Sequence, residues 1–457
     1  MSVSIADSLA NYLTDLQFDD LPKNVVEKAK MCLIDTIGVT LAGSRTETGR
    51  MIISLVKEWG GNEEATIFGD GCKVPSANAA LVNGTLGHIH ELDDGHRVAM
   101  GHPGVTSIPA AMAIAEKVGA KGKELITATV LGYEVFIRLA MSVNPSHRDR
   151  GFHTTGTCGV FGAAAAAGKV LGLDKKSMVN ALGIAGIQAA GLIEVMRGES
   201  RLKPLNAGKA AYNGVLAALL AKKGFTAPYT IFEGNDGFLR AYSDKYDIRT
   251  VTNGLGEDYL IKEIYVKPYA ACRNAHPTID CVLHLAKEHS LTPEEIEKVV
   301  VKTYYTAYKL TGTEYKPKTE STAKFSLPYC VAAALTYGNL GPDEFTIKKI
   351  TDKVLLQLAS KVHVEVDAEL DKLAPRKRGA FVTITTNSGG IYEWKVDNPR
   401  GEPEIPLSTD EVMFKFQSLV GPVLGYDRAQ DILDIMDKYE RLDDIRKKTK
   451  FFSFISV

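Results

Sequence analysis

Apolar residues recur at three- and four-residue spacing through most of the first 260 positions. The pattern predicts helices over 5–16, 24–42, 51–59, 76–91, 107–118, 122–142, 158–171, 175–190 and 207–223. Breakers separate them: Gly172 is expected to close one helix and Asp174 to cap the start of the next. Several of these segments are dense in Ala and Gly, as in GAAAAAGKVLGL and AGKAAYNGVLAALLAKKG. Helices of that composition can approach closely and be enclosed on every side, which suits the centre of a large bundle.

The texture changes after about residue 265. Thr292-Pro-Glu-Glu295 reads as a helix start, and it leads into the β-branched run that begins at Val299. Residues 362–366 alternate, and 380–386 and 391–396 flank Asn387-Ser-Gly-Gly390, a hairpin signal. Ser408-x-x-Glu411 is a capping box that opens two amphipathic helices, expected to return to the helical body. The predicted fold is mainly α: a large all-helical domain built from both chain ends (1–265 and 405–457), with a smaller α+β domain (266–404) inserted between them.

Composition narrows the partners. A chain of 457 residues is more than one core usually organises, so two domains are natural. Lys plus Arg (54) and Asp plus Glu (55) nearly cancel, leaving no broad field of one sign for nucleic acid or an anionic membrane. The Ala- and Gly-rich runs at 160–172 and 207–220 are broken by Lys and fall short of the roughly 20 apolar residues of a membrane span. The opening MSVSIADSLANYLTDL carries acids where a secretory signal would be basic and then apolar, so the cytoplasm is expected. Six cysteines (Cys32, Cys72, Cys158, Cys272, Cys281, Cys330) show no C-x-x-C, which argues against an iron–sulfur cluster, a zinc ribbon or a disulfide framework.

Four clusters can carry chemistry. Gly87 to Gly104, GHIHELDDGHRVAMGHPG, crowds His88, His90, His96 and His102 with Glu91, Asp93 and Asp94 at a helix end. The ligand types suit zinc or iron, but no H-E-x-x-H spacing accompanies them, so metal is the lesser reading beside an acid–base site or a structural loop. Gly151-Phe-His-Thr-Thr-Gly-Thr-Cys-Gly159 places His153 and hydroxyls before a helix, where backbone N–H groups favour a carboxylate or oxyanion. Arg201-Leu-Lys-Pro-Leu and Val266-Lys-Pro-Tyr-Ala-Ala-Cys-Arg-Asn-Ala-His-Pro277 each set a lysine before proline, which favours extended backbone at Lys203 and Lys267. Lysines fixed in this way suit a polyanionic small molecule; solvated surface lysines are the plainer reading of either alone.

In this order the clusters resemble the MmgE/PrpD family, through H-x-x-[DE]-x-D-D, H-P-[GS], G-x-H-x-T-x-x-x-G, L-K-P-L-x-x-G-x-A-A, K-P-Y-x-x-C-R-x-x-H-P and F-S-L-P-Y. The resemblance spans nearly the whole chain. It implies a helical domain with an α+β lid, a homodimer, and an inter-domain site acting on di- or tricarboxylates without a cofactor or metal. Carried over by motif, the catalytic positions are Glu91, His102, His153, Lys203, Lys267 and Tyr329, with Asp93, Asp94, Thr154, Arg273 and His276 binding substrate. On this reading the cations neutralise carboxylates, His102 and His153 form the acid–base pair, and Tyr329 or an acid of the Glu91–Asp94 group protonates a departing hydroxide. The implied reaction is elimination of water, as in 2-methylcitrate dehydratase; epimerisation of an amino- or imino-dicarboxylate and decarboxylation of cis-aconitate are alternatives. A metal-dependent hydrolase and a catalytically silent carboxylate-binding protein are readings from outside the class. The family's dehydratases and decarboxylases usually carry D-F-[DN]-D-T, whereas this chain has Glu91-Leu-Asp-Asp-Gly95, a departure that bears on substrate identity.

Overall fold

The computed structural model describes residues 3–196, 200–449 and Phe452. The end of the expected C-terminal helical segment, 450–451 and 453–457, lies outside the described residues. The long helices of the first half are α1 (Ile5–Asp15), α2 (Lys23–Gly43), α3 (Glu47–Trp59), α4 (Ser76–His88), α5 (Gly104–Val118), α6 (Gly122–Val143), α7 (Gly159–Val170), α8 (Lys175–Gly186) and α9 (Lys203–Lys222). Gly172 adopts φ 61° after α7, and the Asp174 carboxylate accepts from the Ser177 amide at the start of α8. The fold is mainly α, as the apolar spacing predicts.

The Ala and Gly content sets the packing. Helix α9 lies against α4 and α7, and α7 lies against α5 and α6. A Cβ on Gly208 would come within 2.1 Å of Thr85 Oγ1 and 2.2 Å of the Leu81 carbonyl, so the α9–α4 approach requires glycine there. Helix α6 is long and apolar enough to cross a membrane, but 94% of its apolar window is buried inside the fold. It carries the buried Glu134–Arg138 ion pair at 3.1 Å, which makes it a core helix of the bundle.

The expectation of an all-helical body needs one correction. Two short ribbons interrupt it, Ala65–Thr66 with Lys73–Val74 and Gly95–His96 with Ile264–Tyr265. The second pairs the acidic loop after α4 with the segment leading to Lys267.

Past residue 275 come α10 (His276–Glu288), β1 (Ile296–Thr303), α11 (Leu327–Tyr337), α12 (Lys353–Ser360), β2 (Val362–Val366), β3 (Ala380–Thr386) and β4 (Ile391–Val396). The sheet order is β2-β1-β3-β4, with β1 parallel to β2 and antiparallel to β3. The predicted β3–β4 hairpin forms, with Gly389 at φ 86° in its turn. The predicted helix at Thr292 is only a single turn, Pro293–Glu295, because the β-branched residues behind it go directly into β1. Alternate residues of β3 are buried, and α10 packs on β3 and β4.

Helices α13 (Thr409–Leu424) and α14 (Tyr426–Asp437) follow, with Ser408 capping α13 through the Glu411 amide. Helix α13 packs on α2. From it, Lys415 Nζ donates to Asp35 Oδ1 (2.5 Å) and to the Leu92 carbonyl (2.7 Å), so the C-terminal helices brace the loop that holds the acids.

Candidate active site

Helix α4 ends at His88, and the chain then turns sharply through Glu91, whose φ of 53° is unusual for a residue with a Cβ. The turn buries the Glu91 carboxylate between two lysines from distant parts of the chain. Lys203, at the first residue of α9, donates to it; Lys267 Nζ donates to the Glu91 carbonyl at 2.8 Å and lies 3.6 Å from Oε2. Burial by itself would raise the Glu91 carboxyl, but Lys203 and Lys267 hold it well below the usual carboxylate range. Glu91 is therefore an anion here and cannot serve as the proton donor considered from sequence. Lys203 also departs from the extended backbone expected before Pro204: it is helical, with the proline tolerated in the first turn.

Two histidines face the same cavity with opposite commitments. His102 Nδ1 lies 2.6 Å from the Asp94 carbonyl, which can only accept, and 3.1 Å from Asp93 Oδ2. Nδ1 must carry the proton, leaving Nε2 with a lone pair. His153 Nδ1 lies 3.1 Å from the Asn206 amide nitrogen, which can only donate, so there the proton sits on Nε2. Burial pushes His102 down to about 4 against the pull of Asp93, and burial with Lys203 nearby holds His153 well below the ordinary imidazole value. Both rings are neutral near pH 7. This revises the expectation of an acid–base pair: His102 presents a base, while His153 presents an N–H donor too weakly acidic to release its proton.

The cavity, of about 100 Å³, is lined by Glu91, His102, His153, Lys203, Lys267 and Arg273 among the sequence-predicted residues. The remaining predicted positions are not on its wall. Asp93 is fully buried behind the histidines, accepting from His88 Nδ1 at 2.9 Å as well as facing His102. Asp94 accepts from the Tyr133 hydroxyl and from the Gly104 amide (3.1 Å); burial raises it to about 7. Thr154 Oγ1 is 3.3 Å from the Asn144 amide, in the core. His276 is fully buried, bonded to Arg273 Nη1 (2.9 Å) and to the Ala271 carbonyl (3.2 Å), where it orients the arginine. Tyr329 is fully buried, and its hydroxyl donates to the Glu344 carbonyl at 2.5 Å. Its placement in α11, turned into the apolar interior beside Phe345, contradicts a role in protonating hydroxide. Asp93, Asp94, Thr154 and His276 lie behind the cavity wall and brace it.

Among the wall residues that escaped the sequence reading, three carry chemistry or shape that matters here: Arg148, Tyr265 and Arg378. Arg148 sits in a four-residue helix, Ser146–Asp149, and Arg378 in the charged run before β3; both look like solvated surface in the sequence. Tyr265 accounts for the Gly95 departure. Gly95 pairs with Tyr265 across the short ribbon, and a Cβ on Gly95 would come within 2.4 Å of the tyrosine hydroxyl. The space of a larger side chain is filled by the Tyr265 ring, over which the Arg273 guanidinium lies at 4.8 Å.

Among the described residues, His88, Asp93 and His102 bring ligand atoms within 4.8 Å of one another, a grouping that could hold a metal ion. Ligands about 2.1 Å from a tetrahedral ion stand about 3.4 Å apart. Here Asp93 Oδ2 bridges the two Nδ1 atoms at 2.9 and 3.1 Å, the spacing of hydrogen bonds. The arrangement fits a His–Asp–His hydrogen-bonded support better than a coordination shell. His96 is likewise structural: its Nδ1 accepts from the Ala99 amide (3.0 Å), and its Nε2 faces Glu263 (3.3 Å).

Residues 7–251 match the family profile described as the MmgE/PrpD N-terminal domain, and residues 269–441 match the MmgE/PrpD C-terminal domain. The chain is similar to cis-aconitate decarboxylase of Aspergillus terreus (strain NIH 2624 / FGSC A1156), 27% identical over 468 residues that cover 96% of this chain and 94% of that one. It is 26% identical to cis-aconitate decarboxylase of Homo sapiens, over 97% of this chain and 93% of that one. A mitochondrial 2-methylcitrate dehydratase of Yarrowia lipolytica (strain CLIB 122 / E 150) is 23% identical, over 87% of this chain and 80% of that one.

Proposed function

Because the chain belongs to the MmgE/PrpD family, we propose that it is a lyase that eliminates water from a small hydroxy-di- or tricarboxylate by taking the proton next to a carboxylate. The observation that carries this reading is the pair of oppositely committed neutral imidazoles, His102 and His153, on the wall of a cavity that also holds Lys203 and Lys267. Loss of a proton beside a carboxylate loads charge onto its oxygens, and two buried ammonium groups are the natural stabilisers of that charge. His102 Nε2 takes the proton, with Asp93 steadying the imidazolium that forms. His153 Nε2–H donates a hydrogen bond to the developing oxyanion without giving up its proton, as a neutral imidazole can. The His102 imidazolium then returns its proton to the departing hydroxide. A C–H and a C–OH become a C=C and water, and both histidines end as they began.

A second reading is decarboxylation of a cis-aconitate-type substrate, favoured by similarity along almost the full chain to proteins so named. There a protonated His102 would deliver its proton to the carbon left by carbon dioxide. Residues 266–404 acting as a lid, and a cytoplasmic homodimer, complete the proposal; light scattering on the purified chain tests the dimer.

Proton NMR in deuterium oxide with 2-methylcitrate, citrate and cis-aconitate separates the outcomes. Water elimination gives a new alkene from either of the first two, and decarboxylation consumes the third with release of carbon dioxide. Deuterium entering an otherwise unchanged amino-dicarboxylate would point to epimerisation. No change in any of these acids would overturn the lyase reading.

A further inference from the structure

The charges on the cavity wall do not balance. Among the described residues it holds five cations, Arg148, Lys203, Lys267, Arg273 and Arg378, and one carboxylate, Glu91. Glu91 answers Lys203 and Lys267. Arg273 is answered from behind by buried Glu402, whose Oε1 is 3.0 Å from Arg273 Nε, and by the Arg400 and Pro399 carbonyls. Arg148 and Arg378 are left over.

Arg378 donates through Nη2 to the Arg97 carbonyl at 3.0 Å; burial would lower it, but Tyr304, Glu402 and Tyr265 nearby raise it, so it stays cationic with no carboxylate in direct contact among the described residues. The Arg148 guanidinium makes no hydrogen bond to protein among the described residues, although the side chain is largely withdrawn from water. Burial, with Arg378 adding to it, lowers Arg148 from its ordinary value. A guanidinium such as Arg148, without a partner and facing a second cation in the same cavity, is costly unless an anion joins them. A carboxylate matches the fork of either guanidinium.

The two arginines come from parts of the chain 230 positions apart, Arg148 just before the loop of His153 and Arg378 just before β3. Neither arginine pairs with Glu91, which is held by Lys203 and Lys267, although all of them line the same cavity. We propose that Arg148 and Arg378 form a second carboxylate seat, which selects substrates carrying a carboxylate remote from the one activated at Lys203 and Lys267. This rests on the lyase reading above and deepens it: the substrate spans the cavity between the lysine pair and the arginine pair, and the carbon that reacts lies between them, at His102.

The test uses tricarballylate, an unreactive tricarboxylate, and butyrate as its monocarboxylate counterpart, titrated calorimetrically into the full chain and into Arg148→Gln, Arg378→Gln and the double variant. Each single change is expected to weaken tricarballylate about tenfold, and the double change to remove its advantage over butyrate, with butyrate binding unchanged in all. Arg378→Lys should recover only part of the loss, because a point charge does not replace a fork. Thermal unfolding of each variant at the wild-type midpoint establishes that the fold is intact. Wild-type affinity in the double variant, or failure of the wild-type chain to bind tricarballylate at millimolar concentration, overturns the seat. Arginine-dependent binding with no turnover in the NMR assay would keep the seat and remove the lyase. Turnover with a KM indifferent to both arginines would do the reverse.

Discussion

The side-chain amide of Asn206 donates to Nδ1 of His153 across 3.1 Å, and through that one bond it decides which nitrogen of the histidine carries the proton into the cavity. Asn206 lies on α9, one turn beyond Lys203, so a single helix supplies both a cation and the group that orients the donor. In Asn206→Asp the carboxylate would draw the proton to Nδ1 and leave Nε2 as an acceptor. The expected result is a fall in kcat of about 100-fold, typical of losing one oxyanion donor, with KM nearly unchanged. Asn206→Ala, which frees the ring to choose its tautomer, should lose less. Full kcat in Asn206→Asp would refute the assignment.

Stability should depend steeply on acid. Burial lowers His90 to about 3 and His102 and His147 to about 4, and holds His153 and His276 well below the ordinary value. Such groups bind fewer protons folded than unfolded, so stability rises with pH between the folded and unfolded values, and for His102 alone the span amounts to about 3 kcal/mol. Asp94 and Glu134, both raised by burial to about 7, act in the opposite direction between about pH 4 and 7. Asp35 and Asp280, also raised by burial, act with Asp94 and Glu134, while Glu91 and Asp93, held low, act with the histidines; the five histidines with these two acids outweigh the four raised acids and leave a net loss as the pH falls from about 6.5 to 4. Denaturant midpoints at pH 7, 5.5 and 4.5 should decrease in that order, and a flat series would contradict the burial of these rings. If His102 is the base, as proposed above, the acid limb of kcat/KM should fall near pH 4 instead of 6.5.

Removing the Glu91 carboxylate leaves Lys203 and Lys267 buried without it. Glu91→Gln is expected to cost about 3–5 kcal/mol of stability, the usual penalty for breaking a buried pair from one side. Citrate should restore more of the thermal midpoint to the variant than it adds to the wild-type chain, since its carboxylate can take the vacated place. Equal shifts in the two proteins would mean that the lysines do not receive substrate carboxylates.

Tyr329→Phe separates the sequence expectation from the structure. Its hydroxyl is spent on the Glu344 carbonyl, away from the cavity, so the change should cost about 1 kcal/mol of stability and leave kcat within about twofold. A loss of kcat beyond tenfold, with KM intact, would return Tyr329 to the chemistry.

The residues that could be read from sequence are those whose local pattern carries physical meaning alone. The helices from Ile5 to Lys222 follow from apolar spacing and from caps such as Asp174, and the β3–β4 hairpin follows from Asn387-Ser-Gly-Gly390. The motifs likewise singled out Glu91, His102, His153, Lys203, Lys267 and Arg273, all of which line one cavity. Arg148 and Arg378 could not be found in this way: an arginine in a charged run reads as solvated until the fold removes its neighbours from water.

The sequence by itself determined the helical body, the sheet and hairpin that follow residue 290, and the stock of imidazoles and cations, because these depend on periodicity and side-chain chemistry within a few residues. Tertiary structure alone decided which atoms do the work. It turned Tyr329 into the core, set Asp93 and Asp94 behind the wall, filled the space over Gly95 with Tyr265, and gave His102 and His153 opposite tautomers through Asp94 and Asn206. The pairs of Glu91 with Lys203 and Lys267 and of His153 with Asn206 join positions 112, 176 and 53 apart, and even the Asp94–His102 contact, only eight positions apart, needs the turn at Glu91 and the burial that only the folded chain supplies.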